Sequence, residues 1–216
     1  MGTKYPIPAG ARLRVLSVSA RVRVIAEDRS DVEIDPPDRY IQNSDDAHVM
    51  ETKSKSTNLE IRVPTGMNVS VGSVSGHVEL VGRFGSVKAS SVSGHVTIGD
   101  TNGDADIRSI SGHIEVGDCG GRCRANTKSG HILASHVASE LKGHTMSGNV
   151  EVGVGGLGDV EVKSISGRIV VKVDQGRRPR IRAKTLSGRV RREAEQGDDF
   201  EIKASSISGS VDVLPR

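Results

Sequence analysis

A short repeat restricts this chain more than any other feature. The dipeptide Ser-Gly, usually followed by one polar residue and then Val or Ile, occurs at Ser75-Gly76, Ser93-Gly94, Ser111-Gly112, Ser129-Gly130, Ser147-Gly148, Ser166-Gly167, Ser187-Gly188 and Ser208-Gly209. Successive glycines lie 18, 18, 18, 18, 19, 21 and 21 residues apart. A unit that short is too small for a helix pair and cannot bury its own apolar face, so it must stack on its neighbours.

Apolar residues keep fixed offsets from the glycine. Two residues after it come Val78, Val96, Ile114, Ile132, Val150, Ile169, Val190 and Val211, and two further on Leu80, Ile98, Val116, Ala134, Val152, Val171, Arg192 and Val213, with Arg192 as the exception. Before it stand Val69, Val87, Ala105, Cys123, Leu141, Val160, Ile181 and Ile202. A further column, Val74, Val92, Ile110, Lys128, Met146, Ile165, Leu186 and Ile207, is expected to point inward, with Lys128 as its odd member. Each repeat therefore holds two alternating segments with the period of a strand, separated by the Ser-Gly bend.

The expected fold is all-β: a single-stranded parallel β-solenoid (β-helix) with 18–21 residues per coil, each strand pairing with its equivalents about 4.8 Å above and below. The crossover rule for parallel strands makes the winding right-handed. A left-handed hexapeptide helix would need inward residues six apart, which the columns do not show. The glycines are expected at φ > 0 and the serines are expected to hydrogen-bond the adjacent backbone. Thin stacked layers of Val, Ile and Ala also account for 26 glycines against only four aromatics, Tyr5, Tyr40, Phe84 and Phe200. That scarcity disfavours platforms for stacking sugars or bases.

Residues 1–66 follow the pattern loosely and are expected to form degenerate N-terminal coils and a cap, with an irregular excursion over 35–58; residues 67–216 form the regular solenoid. Apolar runs are too short to span a bilayer, and Met1-Gly2-Thr3-Lys4-Tyr5-Pro6 lacks the apolar core of a secretory signal, so a cytoplasmic protein is expected. Two cysteines, Cys119 and Cys123, fit a reducing compartment.

The repeated Ser-Gly-polar-Val motif, introduced by Val63-Pro64-Thr65-Gly66-Met67-Asn68-Val69, resembles the bacterial putative adhesin family of β-strand-repeat proteins over roughly residues 12 to 214. The resemblance implies a β-solenoid with a non-enzymatic role, in a family often tied to the bacterial envelope or its stress responses. It brings no catalytic residues.

Candidate chemistry is sparse. The residue after the glycine is His77, His95, His113 and His131 on four successive coils, an outward ladder whose neighbouring imidazoles could hold Zn²⁺, Ni²⁺ or Cu²⁺; the plainer reading is an exposed polar strand start, as Asn149 and Ser210 show. Ser75 with His77 and its equivalents lacks the distinct acid and oxyanion hole of a hydrolase. Gly153-Val154-Gly155-Gly156-Leu157-Gly158 matches a dinucleotide fingerprint but leads into strand alternation, which makes it a turn. No cofactor motif is present, and Cys119, Cys123, Lys128, His131 and His136 fall on one divergent coil.

Charge is uneven. Residues 26 to 51 hold nine acids and two bases, and residues 163 to 193 eleven bases and two acids. Nucleic-acid binding is disfavoured, because a shift of 21 residues sets Arg177, Arg178 and Arg180 against Asp198, Asp199 and Glu201. The leading expectation is a non-enzymatic binding or scaffold module with a protein partner. The alternatives are head-to-tail self-assembly through the solenoid ends, a metal-binding histidine ladder and weak nucleic-acid binding.

Overall fold

The computed structural model describes residues 2–7, 10–36, 42–43 and 49–216. Every regular element in these residues is a strand, and no helix is long and apolar enough to cross a membrane. In chain order the strands are β1 (Thr3–Pro6), β2 (Arg12–Ser17), β3 (Val22–Glu27), β4 (Asp31–Asp35), β5 (Gln42–Asn43), β6 (Val49–Ser54), β7 (Leu59–Pro64), β8 (Asn68–Ser73) and β9 (Val78–Phe84). The regular repeats add β10 (Val87–Ser91), β11 (Val96–Thr101), β12 (Ala105–Ser111), β13 (Ile114–Cys119), β14 (Cys123–Ser129), β15 (Ile132–Val137), β16 (Leu141–Ser147) and β17 (Val150–Val154). The last are β18 (Val160–Ser166), β19 (Ile169–Val173), β20 (Arg180–Ser187), β21 (Val190–Arg192), β22 (Glu201–Ser208) and β23 (Val211–Pro215).

Each coil gives one strand to each of two sheets, and like columns stack as the repeat requires. Val78 pairs with Val96, Val96 with Ile114, Ile114 with Ile132 and Ile132 with Val150. These columns fill a single core, so the sheets are held by layers of β-branched side chains that suit a pleated surface buried on one face. The fold is the β-solenoid that the period of 18–21 residues implies.

Coil order departs from chain order at both ends. One sheet runs β1-β4-β7-β3-β9 and on through the odd strands to β19-β23-β21; the other runs β20-β22-β18 back to β8-β2-β6-β5. The β6–β7 coil thus stacks outside the β2–β3 coil, and the β22–β23 coil, last in the chain, sits between the β18–β19 coil and the β20–β21 coil. Val49–Ser54, inside the stretch expected to be irregular, is a regular strand parallel to β2, because its alternating Met50, Thr52 and Ser54 turn inward against Leu13, Val15 and Ser17. Of the rest of the 35–58 excursion, residues 37–41 and 44–48 lie outside the described residues.

The N-terminal end is covered by antiparallel additions, β4 on β7 with β1 outside it, and β5 on β6. Val32 and Ile34 of β4 are fully buried there. The opposite end is the β20–β21 coil. Arg192 occupies an inward column but is exposed, and its Nη2 donates to the Ala183 carbonyl at 2.7 Å. A charged residue is tolerated there because no further coil closes the layer.

Candidate functional site: the bend edge

The Ser-Gly bends line up along one edge of the solenoid. Gly76, Gly94 and Gly112 are buried and the later ones more open, yet a Cβ on any of the eight would overlap the carbonyl oxygen of the residue one coil away: Ala20 for Gly76, Gly76 for Gly94, Gly94 for Gly112, and so on to Gly209 for Gly188. A positive φ occurs at Gly130, Gly148, Gly167, Gly188 and Gly209 but not at Gly76, Gly94 or Gly112. Direct backbone-on-backbone packing is thus the requirement common to all eight, and the expected left-handed conformation explains only some.

The serines also act differently from expectation. Ser75, Ser93 and Ser111 donate to the carbonyls of Val18, Val74 and Val92 on the preceding coil at 3.3 Å, linking coils rather than closing their own turns. The turn is closed by a different serine: the Gly76 and Gly94 N–H groups donate to Ser73 Oγ and Ser91 Oγ at 3.0 and 2.9 Å. Those belong to a buried hydroxyl column, Ser17, Ser73, Ser91, Ser109, Thr127, Thr145, Ser164 and Ser206, that sequence reasoning missed. Its signal was available, since alternation from Val69 and Val71 places Ser73 inward.

The same alternation places Val74 outward, which corrects the fourth apolar column. Val18, Val74, Val92, Ile110, Met146, Ile165 and Ile207 are 42–50% exposed and Leu186 is 84% exposed. They form an apolar ridge along the edge, and Lys128 is one exposed member of it rather than a buried anomaly.

Beside the ridge runs the imidazole ladder. The rings of His95, His113 and His131 stack at 4.8 and 4.7 Å with planes within 10° of parallel, and His77 meets His95 edge-on at 5.0 Å. The backbone N–H groups of His113, His131 and Asn149 donate to Nδ1 of His95, His113 and His131 at 3.3, 3.1 and 3.0 Å. An Nδ1 that accepts places the ring proton on Nε2. Binding a metal through Nε2 would move that proton to Nδ1 and break the inter-coil bond, and among the described residues no cluster of three or more His, Cys, Asp or Glu side chains is arranged to hold a metal ion. Asn149 serves the same structural purpose, its Oδ1 accepting the Arg168 N–H at 2.9 Å. Partial burial, and then the neighbouring His131 and His95, hold the His113 pKa below the usual imidazole value.

Other candidate groups resolve into structure. Cys119 and Cys123 are buried and unbridged, with the Cys119 thiol placed to donate to the Gly121 carbonyl, and the Cys123 thiol is pushed up by its hydrogen bond to Cys119 and by burial. The glycine-rich stretch 153–158 packs on the backbone of Ala138 and Ser139 and joins β17 to β18 without a helix. The basic run is partly compensated: Arg168 pairs with Asp212 at 2.6 Å, Lys172 with Glu151 at 2.7 Å, Arg180 with Asp198 at 2.7 Å and Arg182 with Glu201 at 2.8 Å. Such pairs contribute up to about 1 kcal/mol each at a surface; Arg177, Arg178, Lys184, Arg189 and Arg192 make no ion pair among the described residues.

Among solved structures, the chain is similar to a putative adhesin from Bacteroides fragilis, with a TM-score of 0.57 at 14% identity over 100% of this chain and 96% of that one. A putative cell adhesion protein from Clostridium sporogenes aligns over the full length of both chains at 10% identity with a TM-score of 0.28. No curated protein matches the chain. The first likeness is one of fold. The Toastrack DUF4097 family model matches residues 25–214, and this chain, with its stacked Ser-Gly coils, belongs to that family.

Proposed function

We propose that the protein is a non-enzymatic binding or scaffold module whose working surface is the bend edge, with a protein as its partner. The observation that carries this reading is the ridge from Val18 to Leu186. An apolar side chain stands exposed on coil after coil, where any polar strand residue would fit the fold equally well. Extended repeat surfaces are commonly used for protein contacts, and a rigid stack presents its ridge at low entropic cost. The fold likeness to a protein named as a putative adhesin is consistent with binding.

The test compares cross-linked capture from native lysate by the wild-type protein and by a variant carrying Val74→Thr, Val92→Thr, Ile110→Thr and Ile165→Thr. These positions are half exposed and threonine keeps the β-branch, so the melting curve should stay unchanged. Capture should fall at least ten-fold. Equal capture by the two proteins would remove the bend edge from the reading.

A second reading, end-to-end self-association, is favoured by one feature. The β20–β21 coil has no coil beyond it and carries Leu186 together with Arg189 and Arg191 on an open pair of strands. Filaments in electron micrographs that disappear with Leu186→Lys would support it; a monomer at all concentrations in sedimentation would dismiss it.

A further inference from the structure

The bend edge is also electrostatically one-sided. Each coil contributes six residues to it, from four before the bend glycine to one after: 72–77, 90–95, 108–113, 126–131, 144–149, 163–168, 184–189 and 205–210, with 16–21 and 53–58 in register on the first two coils. None of the chain's 27 acids lies in these ten segments, which hold nine of its 30 Lys and Arg residues. Burial does not impose the exclusion, since most of these positions are exposed. The outward columns just beyond the strip do carry acids: Asp106 and Glu161 on one flank, Glu79, Glu115 and Glu151 on the other. Several strip cations lean outward to them, as Arg21 does to Glu79 at 2.8 Å and Arg108 to Asp106 at 3.2 Å. Lys128, Lys184 and Arg189 make no ion pair among the described residues.

We infer that the bend edge binds an acidic, apolar segment of another polypeptide, its apolar side chains on the ridge and a carboxylate at Lys128. This deepens the binding reading above and rests on it. Beside Lys128 lies an open groove of about 370 Å³ lined by Ile110, Met146, Arg108 and His144. It combines apolar walls with cations and has no carboxylate in its lining; Arg108 is shared with Asp106, so an entering Glu or Asp side chain meets Lys128 as the unpaired cation. A second copy of this chain fits poorly. The strip holds nine Lys and Arg and no acid, so strip-on-strip pairing would set like charges against each other. A lipid surface fits less well than a peptide, because apart from Met146 and Leu186 the apolar ridge side chains are half buried and β-branched, and no Phe, Tyr or Trp stands among them.

The experiment is selection of a random twelve-residue peptide display library on the full chain, followed by binding of selected peptides, phosphatidylglycerol vesicles and a single-stranded oligonucleotide. Selected peptides should be enriched in Asp and Glu together with Val, Ile or Leu. Their affinity should fall at least ten-fold in Lys128→Glu and be unchanged in Lys88→Glu, which makes the same charge change outside the strip. Both variants should keep the wild-type melting curve. Basic or neutral selected peptides, absence of selection, equal binding by Lys128→Glu, or tighter Lys128-dependent binding of vesicles or oligonucleotide would each overturn the inference. If the threonine variant loses lysate capture while no acidic peptide is selected, the partner class is wrong and the binding edge stands.

Discussion

At the level of single residues, the bend glycines show how a stacked fold makes one position intolerant and its neighbour permissive. Gly112 has no room for a Cβ because the Gly94 carbonyl oxygen occupies that place at 2.1 Å, and stacked backbone cannot yield as a side chain would. Gly112→Ala is therefore expected to destabilise by about 3 kcal/mol or more, the upper range for overpacking a rigid site. Gly143 stands in an inward column among Ala125 and Val162, and a Cβ there would meet only side-chain methyls at ordinary contact, the nearest Val150 Cγ1 at 3.6 Å. Gly143→Ala should stabilise by about 0.5–1 kcal/mol, because it removes unfolded-state freedom and adds contact. Urea melts of the two variants decide the matter; an equal loss at both sites would show that strand glycines act by conformation and not by packing.

At the level of the element, the histidine column is a ladder of ring-to-backbone hydrogen bonds, and acid is expected to weaken it. Charging His113 means protonating the Nδ1 that accepts the His131 N–H and placing a cation between His95 and His131, while Glu115 is the one nearby group acting to favour the charge. The His113 pKa is lowered in the folded protein, so the unfolded chain binds more protons below the ordinary imidazole value of about 6.5. Stability from this group is present above that value and is lost as pH falls through the folded pKa. His144 behaves alike, its pKa lowered by burial and by Lys163. A wild-type melting temperature that declines below about pH 6.5 is expected, with a shallower decline in His113→Asn, since Asn149 shows that an amide accepts the same bond. Identical slopes would remove the ladder as the source. The sequence showed this column as outward and regular but could not show Nδ1 turned to the next coil, because ring orientation depends on the three-dimensional stack. The neighbouring ridge was misread for a different reason. The bend resets strand parity, so an exposed Val74 and an inward Val71 carry the same residue type, and only strict alternation through Ser73 separates them.

At the level of the whole molecule, the period was legible because every coil buries the same columns, and coil order was illegible for that same reason. Like-on-like stacking lets Ile202 rest on Val160 as readily as Ile181 would, so side-chain type in the core does not choose between them. Arg192 is the one residue in the columns that does choose. A guanidinium in an inward position belongs to a layer with an open side, and that marks residues 180–192 as the end coil although 201–215 follow them in the chain. The swap puts Val211 and Val213 between two layers, fully buried, and leaves Val190 only partly buried. Amide exchange should report this directly. Strands with neighbours on both sides open only with the body of the solenoid, whereas an end strand frays locally. Residues 190–192 are expected to exchange faster than 211–213 despite lying farther from the C-terminus. Greater protection at 190–192 would mean that the coils stack in chain order, and would return Arg192 to a closed core in which its charge has no account.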